Sequence, residues 1–180
     1  MPIVAADILY KFSIKTGSAG NAASQSDGNE SLGKYIATNQ VTTATLHELF
    51  DPVSGDENAA SDVEYRCVFI HNNHATLTLQ APLVWLASEV ALGATAAISI
   101  DSTAASAIGA SSAQALSVTN ESTAPSAITF SAPTTKGAGL SLGDLAAGSC
   151  RAVWIRRTAS NSAALEADGV TIRVEGDTAA

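Results

Sequence analysis

Apolar and polar residues alternate most regularly in the last quarter of the chain. Cys150, Ala152 and Trp154 fall on one face of an extended segment, and Arg151, Val153, Ile155 and Arg157 on the other. Further on, Val170, Ile172 and Val174 face one way, and Thr171, Arg173 and Glu175 the other. A period of two is the signature of a half-buried strand. Gly148 and the step Ala167-Asp168-Gly169 supply turn residues before each run. The two runs therefore read as a hairpin-like pair that covers one side of a core.

The same alternation marks Asp7 to Thr16, where Ile8, Tyr10, Phe12 and Ile14 oppose Leu9, Lys11, Ser13 and Lys15. It recurs from Val63, with Tyr65, Cys67 and Phe69 against Glu64, Arg66, Val68 and Ile70. Lys34 to Thr43, Thr76 to Leu79, Leu83 to Val90, Ala96 to Ile100, Leu116 to Thr119 and Ala127 to Phe130 are further strand candidates. Pro82 marks an edge, a bulge or a strand switch. Residues 17–33 are rich in Gly, Ser, Asn and Ala without apolar period, which predicts a long loop or an arm ordered by a partner. Ala44 to Phe50 predicts a short helical turn, and Asp51 to Asp62 a loop. Residues 102–115 stay open between loop and helix.

Many short strands separated by frequent turn signals, with no alternation of strands and helices, predict an all-β fold. The expected architecture is an immunoglobulin-like or jelly-roll-type antiparallel β-sandwich. Its compact part spans 61–177, and residues 1–60 supply an N-terminal strand plus an extended loop or arm.

Composition narrows the function classes. Charged residues are 14% of the 180 and the formal net charge is −8, against about 25% charged in an average soluble domain. An acidic chain with scattered basic residues is a poor nucleic-acid binder. No apolar run is long enough to span a membrane, and the N-terminus does not read as a signal peptide. A surface covered by small neutral residues fits either an Ala-rich protein or one whose surface is shared with neighbouring subunits.

The two cysteines, Cys67 and Cys150, flank Trp85, an order that resembles the immunoglobulin core. The tyrosine expected two positions before the second cysteine is Gly148. In a reducing compartment free thiols are favoured over a bridge, which remains the alternative.

Candidate chemistry is sparse. His71 and His74 have metal-ligand residue types near Asp62 and Glu64, but polar turn residues explain them as well. Asp51, Asp56 and Glu57 lack the spacing of a calcium loop. No nucleophile elbow and no phosphate-binding glycine loop is present. The expectation is therefore no catalytic residue, no metal and no cofactor. Arg151, Arg156, Arg157 and Arg173 form a possible basic patch. It serves either cross-strand pairing with carboxylates such as Glu64 and Glu175, or docking onto an acidic partner surface.

The segments DVEYRCVFIHNNHATLTLQAPLVWL (62–86) and SLGDLAAGSCRAVWIRRTASNSAALEADGVTIRVEG (141–176) resemble a family of tailed-bacteriophage and prophage structural proteins. The shared marks are a strand running into a His-Asn turn and a closing L-A-A-G…W-x-R-R-T…D-G-x-T pattern. The resemblance covers roughly the last two-thirds of the chain, and its motifs are structural rather than chemical. It implies a virion component assembled in the host cytoplasm, a homo-oligomer with no cofactor and no catalytic residues to carry over; the acidic charge and the lack of a long apolar run already argue against nucleic-acid and membrane partners. The role implied is a capsid decoration or cement protein on the major capsid protein, with a tail or baseplate protein as the alternative. A stand-alone adhesion or carbohydrate-binding sandwich is the non-phage alternative. It lacks aromatic residues to spare, at 5% of the chain.

Overall fold

The computed structural model describes residues 2–90, 93–163 and 168–178. They build two antiparallel sheets with a single short α-helix among them. The strands are β1 (Ile8–Ile14), β2 (Tyr35–Gln40), β3 (Val63–Asn72), β4 (Leu79–Val90), β5 (Ala94–Ile100), β6 (Ser106–Ala107), β7 (Leu140–Ser141), β8 (Ser149–Ala159) and β9 (Gly169–Thr178). The large sheet runs β2-β1-β3-β8-β5, with β6 also paired to β8, and the small sheet runs β7-β4-β9. The all-β sandwich read from the alternation is what forms.

The two closing strands are not a hairpin. β8 lies between β3 and β5 in the large sheet, whereas β9 pairs with β4 in the small one. Both alternate, but alternation reports exposure of faces and not the identity of the partner strand. Of the turn expected before β9, Asp168 and Gly169 are described and Ala167 lies outside the described residues. Residues 2–60 are built into the sandwich, since β1 sits between β2 and β3. The expected arm at 17–33 folds over the chain's own large sheet, where Leu32 is buried and Ser31 bridges to Ser13 and Cys67.

That lid explains the sequence of the central strands. One face of the large sheet meets the small sheet through Val68, Ile70, Val153 and Ile155, packed with Leu79, Val84, Leu86, Ile98, Leu142 and Leu145. The opposite face carries Cys67, Phe69, Ala152 and Trp154 and is sealed by Leu32, Ile36, Ala115 and Val118. A strand buried on both faces reads as a continuous apolar run, as in Cys67-Val68-Phe69-Ile70 and Ala152-Val153-Trp154-Ile155. Trp154 also donates its indole N–H to Asp101 at 2.7 Å. Asp101 in turn accepts from the Leu116 and Thr103 amides, fixing the lid loops to the sheet.

Strand edges would invite pairing with other chains, and at the two outer strands of the large sheet they are occupied. The outer edge of β2 bonds to residues 21–23 through Asn21 N–H to Ile36 O and Thr38 N–H to Ala23 O. Ser131 exchanges backbone hydrogen bonds with Ile98 of β5. β4 is one strand rather than two, with an irregularity between Gln80 and Leu83 where Ala81 takes φ 44° and Pro82 interrupts the ladder.

The helical turn expected at Ala44 to Phe50 is absent; Ala44 and His47 adopt positive φ there. A helix, α1 (Gly55–Ala60), forms instead within the expected loop. Ser54 accepts from the Glu57 amide and the Glu57 carboxylate accepts from the Ser54 amide, a capping box that outweighs the weak propensity of Gly55.

Candidate functional site

The densest polar cluster grows from the start of β3 and the end of β8. Register places Glu64 opposite Arg157, so their side chains share a face. Arg157 directs Nε (2.6 Å) and Nη2 onto the same Glu64 oxygen, Oε2, and gives Nη1 to the Asp51 carbonyl. Two residues along on the same face, Arg66 is fully buried. Its Nη2 lies 2.5 Å from Glu121 Oε2, 2.6 Å from Asn29 Oδ1, 3.6 Å from Glu64 Oε1 and 3.8 Å from Asp51 Oδ1. Its Nε donates to the Leu49 carbonyl at 3.0 Å. Both guanidiniums lie over the Phe50 ring, at 4.8 and 5.0 Å.

The carboxylates of Asp51, Glu64 and Glu121 offer oxygens within 4.8 Å of one another, a spacing compatible with a metal ion. The cation among them is the Arg66 guanidinium. Glu64, 4% exposed, has its carboxyl held above the ordinary carboxylate range because burial outweighs the attraction of Arg157 and Arg66. What the cluster does is structural: it fastens the segments around Asn29, Leu49 to Asp51, and Glu121 onto the core strands. The calcium-loop candidates part company here, because Asp51 joins this cluster while Asp56 and Glu57 open α1.

The four arginines singled out in the sequence do not converge. Arg157 is tied to Glu64 and Asp51. Arg151 points to the inter-sheet side and donates to the carbonyls of Leu142 (2.8 Å) and Asp101 (3.4 Å). Arg156 projects from the opposite face of β8 and lies over Phe130 at 5.4 Å, whose ring also tilts against Tyr65. Arg173 belongs to the small sheet, pairs with Glu175 at 2.7 Å and lies over Trp85. Its side chain is 61% exposed. Cross-strand pairing accounts for Arg157, and pairing along the strand for Arg173. Nearby, a cleft of about 430 Å³ opens between the N-terminal segment and β9, lined by Ile3, Ile8, Tyr10 and Val174 with Lys136 and Arg173 at its rim.

A second polar cluster, missed in the sequence, lies under the lid. His71 and Cys150 are direct cross-strand neighbours. Lys11 of β1 reaches Asn21 Oδ1 at 2.7 Å. Gln114 donates to Ser106 Oγ, the Ala107 carbonyl and Cys150 Sγ, and accepts from the Ile36 amide. A period-two reading assigns Lys11 and His71 to an apolar or solvent face, and only the lid makes that face an interior. His71 is 2% exposed. His74 is held apart from it, with Nδ1 accepting from the Thr76 and Leu77 amides.

Both cysteines are free and buried. Cys67 stands opposite Trp154 and Cys150 opposite His71. Four residues of strand, ~13 Å at about 3.3 Å each, separate them, well beyond the ~6.8 Å limit between disulfide Cα atoms. Burial pushes the Cys150 thiol up to about 12 and Cys67 well above its usual value.

Against family models, curated proteins and solved structures alike, the chain finds no match.

Proposed function

We propose that this chain is a non-enzymatic structural component of a tailed-phage virion, a decoration or cement protein that binds and stabilises the major capsid shell as a homo-oligomer. The observation that carries the reading is an all-β sandwich whose densest polar cluster is spent on its own architecture, with Glu64, Arg66 and Arg157 locking loops to core strands. A module so built is rigid before it meets a partner, which lowers the ordering cost of docking. The two segments that resemble phage structural proteins supply β3, most of β4, all of β8 and most of β9, strands that carry much of the core. Arg173, on the small sheet with its side chain mostly exposed, is the arginine best placed to meet an acidic partner surface.

Quantitative mass spectrometry of purified particles tests this reading. A copy number comparable to that of the major shell protein is the expected result. Absence from particles overturns the virion assignment, and a copy number matching one tail ring replaces decoration with a tail or baseplate role. Arg173→Glu is expected to weaken binding to shells lacking the protein by about tenfold, the effect of losing one well-placed interface arginine.

A further inference from the structure

Buried histidines nearly always find a hydrogen-bond partner. His71 is an exception: both ring nitrogens are buried with none. Its surroundings are set by three layers. β1 contributes Lys11, 7% exposed, and β8 contributes Cys150. The lid contributes uncharged groups, Asn21 on Lys11, and Ser106 with Gln114 on Cys150. Gly20 lies so close to Gln114 that a Cβ there would come within 1.9 Å of Oε1. The charged or titratable groups facing the imidazole among the described residues are therefore Lys11 and Cys150.

We propose that His71 is an acid-sensitive latch, whose protonation releases the lid loops 17–23 and 108–114, tied to each other through Gly20 and Ala110, from the outer face of the large sheet. A protonated imidazole has two N–H donors and no acceptor. Here it would also be a second buried cation beside the Lys11 ammonium, and the Cys150 thiol is neutral. The way to relieve both costs is to let water in, and these two loops, which lie outside the strands, are the elements that can open. Burial and Lys11 push the imidazole down from 6.5 to about 4, in keeping with a ring kept neutral until the lid yields. Stability contributed by the neutral ring is full above 6.5 and is lost as the pH falls from there towards 4.

Thiol labelling with a dithiodipyridine, followed by peptide mapping, reads the opening directly. In the native chain, Cys150 labelling is expected to accelerate by about tenfold or more as pH falls through this window, ahead of Cys67. In His71→Gln, which cannot charge, that acceleration disappears. Simultaneous exposure of both thiols, or the same profile in His71→Gln, overturns the latch. Should His71→Gln fail to fold, imidazole ¹⁵N titration of the native chain decides. The amides of Gly20, Asn21 and Gln114 must broaden or shift as His71 charges; if they stay unchanged, the latch is overturned.

Discussion

The Tyr10 hydroxyl, rising from β1, donates to the Ile172 carbonyl of β9 at 3.3 Å and also meets the Val174 backbone. Leu86 of β4 sends its amide away from β9, to the Pro133 carbonyl. Its partner Ile172 thereby turns its backbone outward, where Tyr10 takes it. One phenol thus joins the two sheets and occupies the middle of an otherwise open edge.

Tyr10→Phe is expected to cost about 1 kcal/mol, the net value of one hydrogen bond, in urea unfolding at neutral pH. Burial pushes the Tyr10 phenol up to about 12 from 10. The neutral ring's contribution is full below 10 and is lost as pH rises towards 12. Native stability should fall more steeply over that window than that of Tyr10→Phe. Equal slopes would remove Tyr10 as the cause.

The cluster around Glu64 predicts an asymmetry. Burial raises the Glu64 carboxyl, so its ionised form is a net cost at neutral pH. Glu64→Gln is expected to leave stability within about 1 kcal/mol of native. Arg66→Met removes the buried cation that Glu64, Glu121, Asn29 and the Leu49 carbonyl share and leaves these acceptors unmatched, and should cost ~3–5 kcal/mol. Chemical denaturation of the two variants side by side checks the order.

With Cys67 and Cys150 apart, intact mass should be the same with and without reductant. A deficit of two hydrogens without reductant would contradict the register of β3 and β8. Both thiols should resist alkylation at neutral pH in the folded chain, because burial keeps them protonated.

Gly33 has φ +91°, and a Cβ there would lie 1.9 Å from the Leu116 carbonyl oxygen. That carbonyl accepts the Lys34 amide at 3.0 Å, a tie between the two lid segments. Gly33→Ala combines a left-handed backbone with a backbone clash and should destabilise by at least ~2 kcal/mol. A thermal melt reads the loss.

Legibility in the sequence followed the physics of each element. β1 announces itself by alternation, β3 by alternation at its start and a continuous apolar run from Cys67 to Ile70, and Pro82 announces the break in the ladder. Strand partnership is invisible to alternation, so β8 and β9 read as neighbours although they stand in different sheets. The lid was illegible because single residues such as Leu32, Ser31 and Gln114 anchor it, with no period to detect. The Ser54–Glu57 capping box was readable but stood in a stretch of loop-forming residues. Among the site residues, Arg157 and Glu64 could be paired from strand positions. Arg66 could not, since the segments bearing Asn29, Leu49 and Glu121 come together only in the fold.

The occupied edges of β2 and β5 bear on how copies of this molecule behave when crowded. Neighbours held side by side along the large sheet would touch through side chains instead of sharing a backbone ladder. Contacts of that kind come apart residue by residue, so a dense layer of such molecules can anneal its packing errors where a fused sheet would keep them.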